Sequence, residues 1–517
     1  MIEFDLLKLG PAQRVGIAED VRADLELDKV VGIASGGDKL VAETWLEVLL
    51  SRECSEEVIR YRQEAVRDAL EYSDVVLRMY QIAKEGYETA YREVFIFRLD
   101  NPSLVVYEVS KGIRILTDYL EKLLNVVSNA KFSSSAFKGL VRSLTSNIDE
   151  EFIARAREIS EMLRFGSGAE FSVGVGSLNS LVNPTLLLPE DGGSIIGRLL
   201  PLERRYTYRL DLRDEDGARI LGDIRNWVLS RIATTLLNSF EKFMSFFRDL
   251  AKQISFYVGA INLSNFLDKL GIPRTYPEVD PRKFFFENLY PLSLAVSSTR
   301  KPVPSSLYID VEGSFAAIIT GVNKGGKTTF LKSVGQAILI ARAGLPVPAE
   351  RFVIPSAGTV LTHFLREEER AFSYGKFEEE VKRFRTLVES LRRGDYVLMD
   401  ESFASTNHVE ASIVAENVVS ALLDSGVNVL YVTFLQDFLH KFIPRYSKKV
   451  VLLVPERLSD GTRTYRLVKG SMQPGYVLEL WRKIAGEPES GGDESNEPPS
   501  TEKRWTMRKS PDKFLKT

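Results

Sequence analysis

The stretch GVNKGGKTT, Gly321 to Thr329, limits what this chain can fold into more than any other. It matches the pattern G-x-x-x-x-G-K-[ST], and its flanks decide what the match means. Upstream, SFAAIIT (Ser314 to Thr320) is a short apolar run of strand character. Downstream, FLKSVGQAILIARAG (Phe330 to Gly344) places apolar residues at helical spacing and closes on a glycine. Strand, glycine turn and helix together make a phosphate site. Gly321 and Gly326 permit backbone angles that a side chain forbids, so successive N–H groups point inward around an anion. The helix opening near Lys327 adds its positive end. Lys327 is placed to reach the β- and γ-phosphates of a nucleotide, and the Thr328 hydroxyl to hold Mg²⁺.

Such a loop needs acidic groups opposite it. YVLMDESF (Tyr396 to Phe403) is an apolar strand that ends in two carboxylates. Asp400 is placed to hold Mg²⁺ through its water shell, and Glu401 to polarise an attacking water. A water-activating glutamate suits hydrolysis, and no acceptor-substrate motif speaks for a kinase.

The chain around these motifs divides by texture. Up to about Leu270 it reads as mostly helix, with Asp38 to Val94, Ser103 to Leu124 and Ile148 to Leu163 carrying apolar residues every three or four. Between Arg164 and Gly222 glycines and turn clusters predict a small β or irregular insertion, with RRYTYRLDLRDEDGARI alternating like a hairpin. Arg204, Arg205, Arg209 and Arg213 there are candidate phosphate contacts or a solvated strand face diluted by Asp211, Asp214 and Glu215. Ile224 to Leu270 runs without a proline and predicts one long lever or two helices in series. GIPRTYPEVDPRK (Gly271 to Lys283) reads as a linker. Beyond it strands and helices alternate, as in an α/β sheet, with an amphipathic helix over Lys376 to Leu391 and strands at VNVLYVTF, KKVVLLVPE and TYRLVKG. The expected organisation is helical core and levers over 1–270 with an insertion at 164–222, a linker at 271–283, an α/β domain over 284–486, and a tail over 487–517 with the composition of disorder.

Composition narrows the class. At 517 residues the chain is too long for one core. No apolar run approaches the ~20 residues that span a bilayer, and the N-terminus shows no basic-then-apolar leader. Cys54 is the single cysteine, which excludes internal disulfides and fits a cytoplasmic setting. His363, His408 and His440 have no partners at zinc-ligand spacing. A net charge of −3 requires that any nucleic-acid binding use a local patch.

These residues resemble one family. TGVNKGGKTTFLKSVG, with Asn323 in its loop, resembles the Walker A region of the MutS family of DNA mismatch-repair ATPases. LPVPAE (Leu345 to Glu350), Phe377 and Glu380 in KFEEEV, MDESFASTNHVEAS with Thr406, VTFLQDF and TYRLVKGSMQPGYVLELWRKIAG resemble later segments of that ATPase, and VIRYRQEAVRDAL resembles the opening of the family's helical core. The resemblance implies an N-terminal, mostly α-helical core and lever region followed by a C-terminal ABC-type α/β P-loop ATPase domain that dimerises. Gly321, Asn323, Gly325, Gly326, Lys327, Thr328 and Thr329 would bind ATP, with Thr328 and Asp400 on Mg²⁺ and Glu401 with Lys327 catalytic. Ser373 or Gly375 would serve as the signature residue offered to the partner's nucleotide.

There are departures from the family pattern. The family's Thr-His pair after the second strand is Thr433-Phe434 here. No room is expected ahead of the core for the mismatch-reading domains, and neither a nuclease domain nor a C-terminal helix-turn-helix is expected after it. The expectation is therefore an ATPase of a DNA-repair or recombination family, homodimeric and with no membrane association, that clamps branched or distorted DNA rather than mismatches. A nucleotide-gated protein scaffold or a ribosome-associated ATPase is the alternative.

Overall fold

A computed structural model describes residues 4–11, 13, 15–95, 101–163, 171–175, 177, 181–186, 213–321, 325–366, 374–457 and 463–470. The first half is helical: α1 (Val15–Asp24), α2 (Leu27–Ser35), α3 (Lys39–Leu49), α4 (Glu56–Glu71), α5 (Ser73–Glu93), α6 (Pro102–Val127), α7 (Ser135–Asn147) and α8 (Glu150–Met162) precede a hairpin, β1 (Phe171–Val175) and β2 (Leu181–Leu186), and then α9 (Glu215–Lys269). Polar side chains fix where helices start. Asp38, Ser55, Ser134 and Asp149 each accept a first-turn N–H, and Pro102 sits at the first position of α6 behind an Asn101 cap.

The stretch from Ile224 is part of one continuous 55-residue helix, α9. Helices α2, α3, α4, α5 and α6 pack along it. Trp45 is fully buried and donates its indole N–H to the Phe256 carbonyl at 2.9 Å, over Gly259. The hairpin expected across Arg204 to Ile220 is corrected in its last part: Glu215 to Ile220 form the first turns of α9. Glu215 and Asp216 complement the positive helix end there, which outweighs the short alternation. Arg204, Arg205 and Arg209 lie outside the described residues, and Arg213 is exposed just before the helix.

The second half is α/β: β3 (Glu278–Val279), β4 (Lys283–Leu289), α10 (Leu292–Ser298), β5 (Ser305–Asp310), β6 (Ala316–Ile319), α11 (Lys327–Arg342), β7 (Arg351–Ile354), β8 (Val360–Phe364), α12 (Tyr374–Val388), β9 (Tyr396–Asp400), α13 (His408–Asp424), β10 (Asn428–Val432), α14 (Gln436–Arg445), β11 (Val450–Arg457) and β12 (Arg463–Lys469). Six strands form a sheet in the order β12-β11-β6-β10-β9-β8, parallel except for the edge strand β12. Strands β6 and β10 are buried at every position, as strands covered on both faces must be. A second, four-stranded sheet runs β3-β7-β4-β5. Its Phe286 meets Phe330 of α11 at 6.0 Å between ring centroids.

The stretch 271–283 is woven into this half. It supplies β3, Thr275 exchanges backbone bonds with Val347, and the Pro277 carbonyl accepts from Gln63 of α4. One hydrophobic core runs through both halves. Among the described residues no helix is long and apolar enough to cross a membrane. The residues expected as a disordered tail, 487–517, lie outside those described.

Candidate active site

Three parallel strands end at one level. Val432 of β10 is in register with Ile319 of β6 on one side and Asp400 of β9 on the other. At about 4.8 Å per strand, Asp400 lies roughly 10 Å across the sheet from the end of β6. The chain leaving β6 turns through Gly321 at φ +110°, where a Cβ would stand 2.8 Å from Pro455 Cδ, and enters α11 through Gly326 at φ +87°. No other residue type fits either position without strain. Gly321 and the start of α11 thus stand at the carboxyl ends of the strands, where open α/β sheets take their ligands.

Lys327 is buried at the first position of α11. Its Nζ donates to the Gly321 carbonyl at 2.8 Å and lies 4.4 Å from the centre of the Phe434 ring. Burial pushes its pKa down to about 8, against the upward pull of Glu401 and Asp400. Asp400 is pushed up to about 6, chiefly by burial, while the neighbouring Thr328 hydroxyl opposes the rise and the Glu401 charge adds to it. One carboxylate oxygen of Asp400, Oδ1, is buried without a hydrogen-bond partner. A hard divalent cation fits that donor set, a threonine hydroxyl beside an unsatisfied carboxylate oxygen.

Glu401 follows at φ +52°, and Phe403 at φ +66°. Both conformations are strained for residues with side chains, and surrounding bonds hold them there. The Glu401 N–H donates to Val432 O at 2.9 Å. Beneath the turn the fully buried Glu380 accepts from the Phe403 N–H at 2.5 Å and from the Ser405 hydroxyl. Tyr431 donates to Ser402 O at 2.7 Å, and Ser402 donates to His363 O at 2.5 Å, with its Oγ 2.9 Å from His363 Nδ1. Burial first, then the charge of Arg383, pushes His363 down to about 3, so its ring is neutral.

Of the residues singled out in the sequence, Gly321, Gly326, Lys327, Thr328, Asp400 and Glu401 come together at these strand ends. Gly325 is buried in the loop, and Asn323 lies outside the described residues. Thr329 lines a cavity of about 320 Å³ beside the loop, with Leu294, Pro302, Val303, Gly326 and Tyr465. Ser373 is outside the described residues, whereas Gly375 is exposed in the first turn of α12 with open space around it. Thr406 is tied to Glu410 of α13 at 2.9 Å. Sequence reasoning missed the cavity, whose apolar wall comes from Pro302 and Val303 and from Tyr465 of β12, and it missed the buried bonding of His363, a lone histidine whose only signal was its place in a buried strand.

Two family descriptions match this chain: MutS2 N-terminal domain over residues 54–270, and MutS domain V over residues 317–494. The chain is similar to the DNA mismatch repair protein MutS of Thermotoga neapolitana, 30% identical over 200 residues that cover 37% of this chain and 25% of that protein. It is similar to Endonuclease MutS2 of an Anaeromyxobacter species, 30% identical over 200 residues, 37% of this chain and 24% of that protein. Endonuclease MutS2 of Thermus thermophilus is 29% identical over 168 residues, 32% of this chain and 22% of that protein. The matched part thus spans about a quarter of each relative's length. Helices α1, α2 and α3 precede both matched regions.

Proposed function

We propose that this chain, a MutS-like protein whose second matched region belongs to an ATPase family, binds ATP with Mg²⁺ at the loop 321–329 and hydrolyses it. The reading is carried by one observation: the buried, unpartnered Oδ1 of Asp400 stands at the same strand ends as Thr328 and Lys327. The phosphates take backbone N–H groups between Gly325 and the N-terminal end of α11, and Lys327 meets the β- and γ-phosphates. The cavity between Val303 and Tyr465 takes the base and ribose. Mg²⁺, held by Thr328 and through water by Asp400, offsets the charge on the phosphates when bound. Glu401 polarises the attacking water, and its strained backbone, tied to Val432 O and continued into a turn that Glu380 holds at Phe403, keeps the carboxylate aimed.

In this reading two copies pair across their nucleotides, with Ser373 or Gly375 facing the partner's ATP. Nucleotide state moves α9 and the helices packed on it, and so opens or closes a grip on branched or distorted DNA. The similarity to proteins named for DNA mismatch repair supports the DNA part. The net charge of −3 favours a second reading, a nucleotide-gated protein scaffold.

The test is ATP binding and turnover of wild type and Glu401→Gln, with filter binding of four-way junctions at two salt concentrations. Turnover should fall by orders of magnitude in the variant while ATP binding persists, and junction affinity should drop steeply as salt rises. Unchanged turnover removes Glu401 from the mechanism, and no junction binding at low salt leaves the scaffold.

A further inference from the structure

The nucleotide reading accounts for Lys327 but leaves the aromatic side chain facing it without a role. Phe434 follows Thr433 at the end of β10, the strand between β6 and β9. Thr433 N–H donates to Ile319 O at 3.0 Å, which pins this chain end beside the start of the glycine-rich loop. The ring is therefore presented to the loop by the sheet itself. The Lys327 Nζ sits 4.4 Å from its centre while donating to the Gly321 carbonyl at 2.8 Å. An ammonium within about 6 Å of a ring centroid is attracted by the negative face of the π system, and more strongly where water is excluded. Lys327 is 6% exposed, so water screens the contact little.

We infer that Phe434 is a positioning residue for nucleotide binding: its ring face and the Gly321 carbonyl together hold the Lys327 ammonium at the mouth of the loop before a phosphate arrives. A lysine has four rotatable bonds and loses about 2 kcal/mol of rotamer freedom when fixed. Restricting it in advance lowers the ordering that phosphate binding must impose, so the contact acts on affinity. Phe434 has no group that can donate, accept or transfer a proton, so it takes no part in the chemical step.

The inference rests on the proposed nucleotide site, and the test separates the two. Replacing Phe434 by 4-fluoro-, 3,5-difluoro- and 3,4,5-trifluorophenylalanine keeps the shape of the ring while draining its negative face stepwise. ATP affinity, read with a fluorescent analogue and Mg²⁺, should weaken monotonically along the series, reaching on the order of three- to tenfold at the last member. The KM for ATP should follow, and kcat should stay within about twofold, as expected when uniform binding is lost. Phe434→Trp should bind as well as wild type, and Phe434→Leu at least as poorly as the trifluoro form. A wild-type protein that binds no ATP overturns the nucleotide reading. A wild type that binds ATP with an affinity flat across the fluorinated series overturns the role of Phe434 alone, since mere packing is indifferent to fluorination.

Discussion

Lys332 and Glu26, 306 positions apart in the chain, meet at 2.8 Å. Lys332 lies on α11, one turn past Thr328, and Glu26 stands at the elbow between α1 and α2 with φ +51°. Beside them Gln336 donates to the Leu25 carbonyl at 2.6 Å, and the Leu25 side chain fills space left open by Gly335. Asp20 of α1 pairs with Arg366, just past β8. The elbow thus touches the helix that follows the glycine-rich loop and the strand next to β9, and through α2 it packs on α9.

If the elbow docks through these contacts, Glu26→Gln and Lys332→Met should couple. A double-mutant cycle in urea should give about 0.5–1 kcal/mol, the range of a partly exposed pair. Gly335→Ala would put a Cβ 2.8 Å from Leu25 Cδ2 and 2.7 Å from Leu398 Cδ2, and should cost about 1–3 kcal/mol. Additive charge changes together with a harmless alanine would mean the elbow only rests on α11.

Asp24 predicts a pH dependence. Its carboxyl is pushed up to about 6, first by burial; the nearby Thr362 hydroxyl opposes this, Asp20 adds to it, and Arg383 and Arg366 oppose it. The folded protein therefore keeps a proton that the unfolded chain gives up near its ordinary value of 3.8. The stability linked to this site is full below about pH 4 and is lost as pH rises through about 6. Asp24→Asn should raise Tm relative to wild type at pH 7.5 and change it little at pH 4. An equal difference at both pH values would contradict this.

Glu380→Ala leaves the Phe403 N–H and the Ser405 hydroxyl without their acceptor in a buried turn. Stability should fall by about 1–3 kcal/mol. Because that turn aims Glu401, ATP turnover should fall at least about tenfold while ATP affinity stays nearly constant. Loss of both together would place Glu380 in the binding site rather than beneath it.

Gly259→Ala tests the contact between α9 and α3. A Cβ there would come 2.0 Å from Trp45 Nε1, on a ring that is 0% exposed and bonded to Phe256 O. The ring has nowhere to move, so the loss should be about 3 kcal/mol with a changed tryptophan near-ultraviolet signal. A variant of wild-type stability would show that α3 and α9 separate readily.

What was legible in the sequence was whatever is decided within a dozen residues. The apolar run into Asp400, the glycines at Gly321 and Gly326, and the breaker-free course of α9 are of that kind. Whether α9 is one helix or two depends on the side chains laid along it, among them Trp45, Gly86 against Phe247 and Gly112 against Phe240, and no local pattern carries that information. The same holds for the α1–α2 elbow, for the cavity wall assembled from Val303 and Tyr465, and for Phe434 over Lys327. Residues 271–283 read as a linker because Pro and Gly break local structure, yet their backbone finds partners in Val347 and Ile354 far along the chain.

The long helix has a mechanical consequence. At 1.5 Å per residue its 55 residues make a rod of about 80 Å. From Phe240 onward it is gripped by buried side chains such as Phe247, Ile254, Tyr257 and Leu263, while before Phe240, among the described side chains, only Val228, Leu229 and Ala233 are buried. A rod clamped along one part converts rotation at the clamp into travel at its loose end: a tilt of about 5° at Phe240 shifts Glu215, roughly 37 Å away, by about 3 Å. The gear ratio is set by where burial stops. Moving that point by packing Leu236 or Ile232 more tightly would shorten the stroke and leave the clamp untouched.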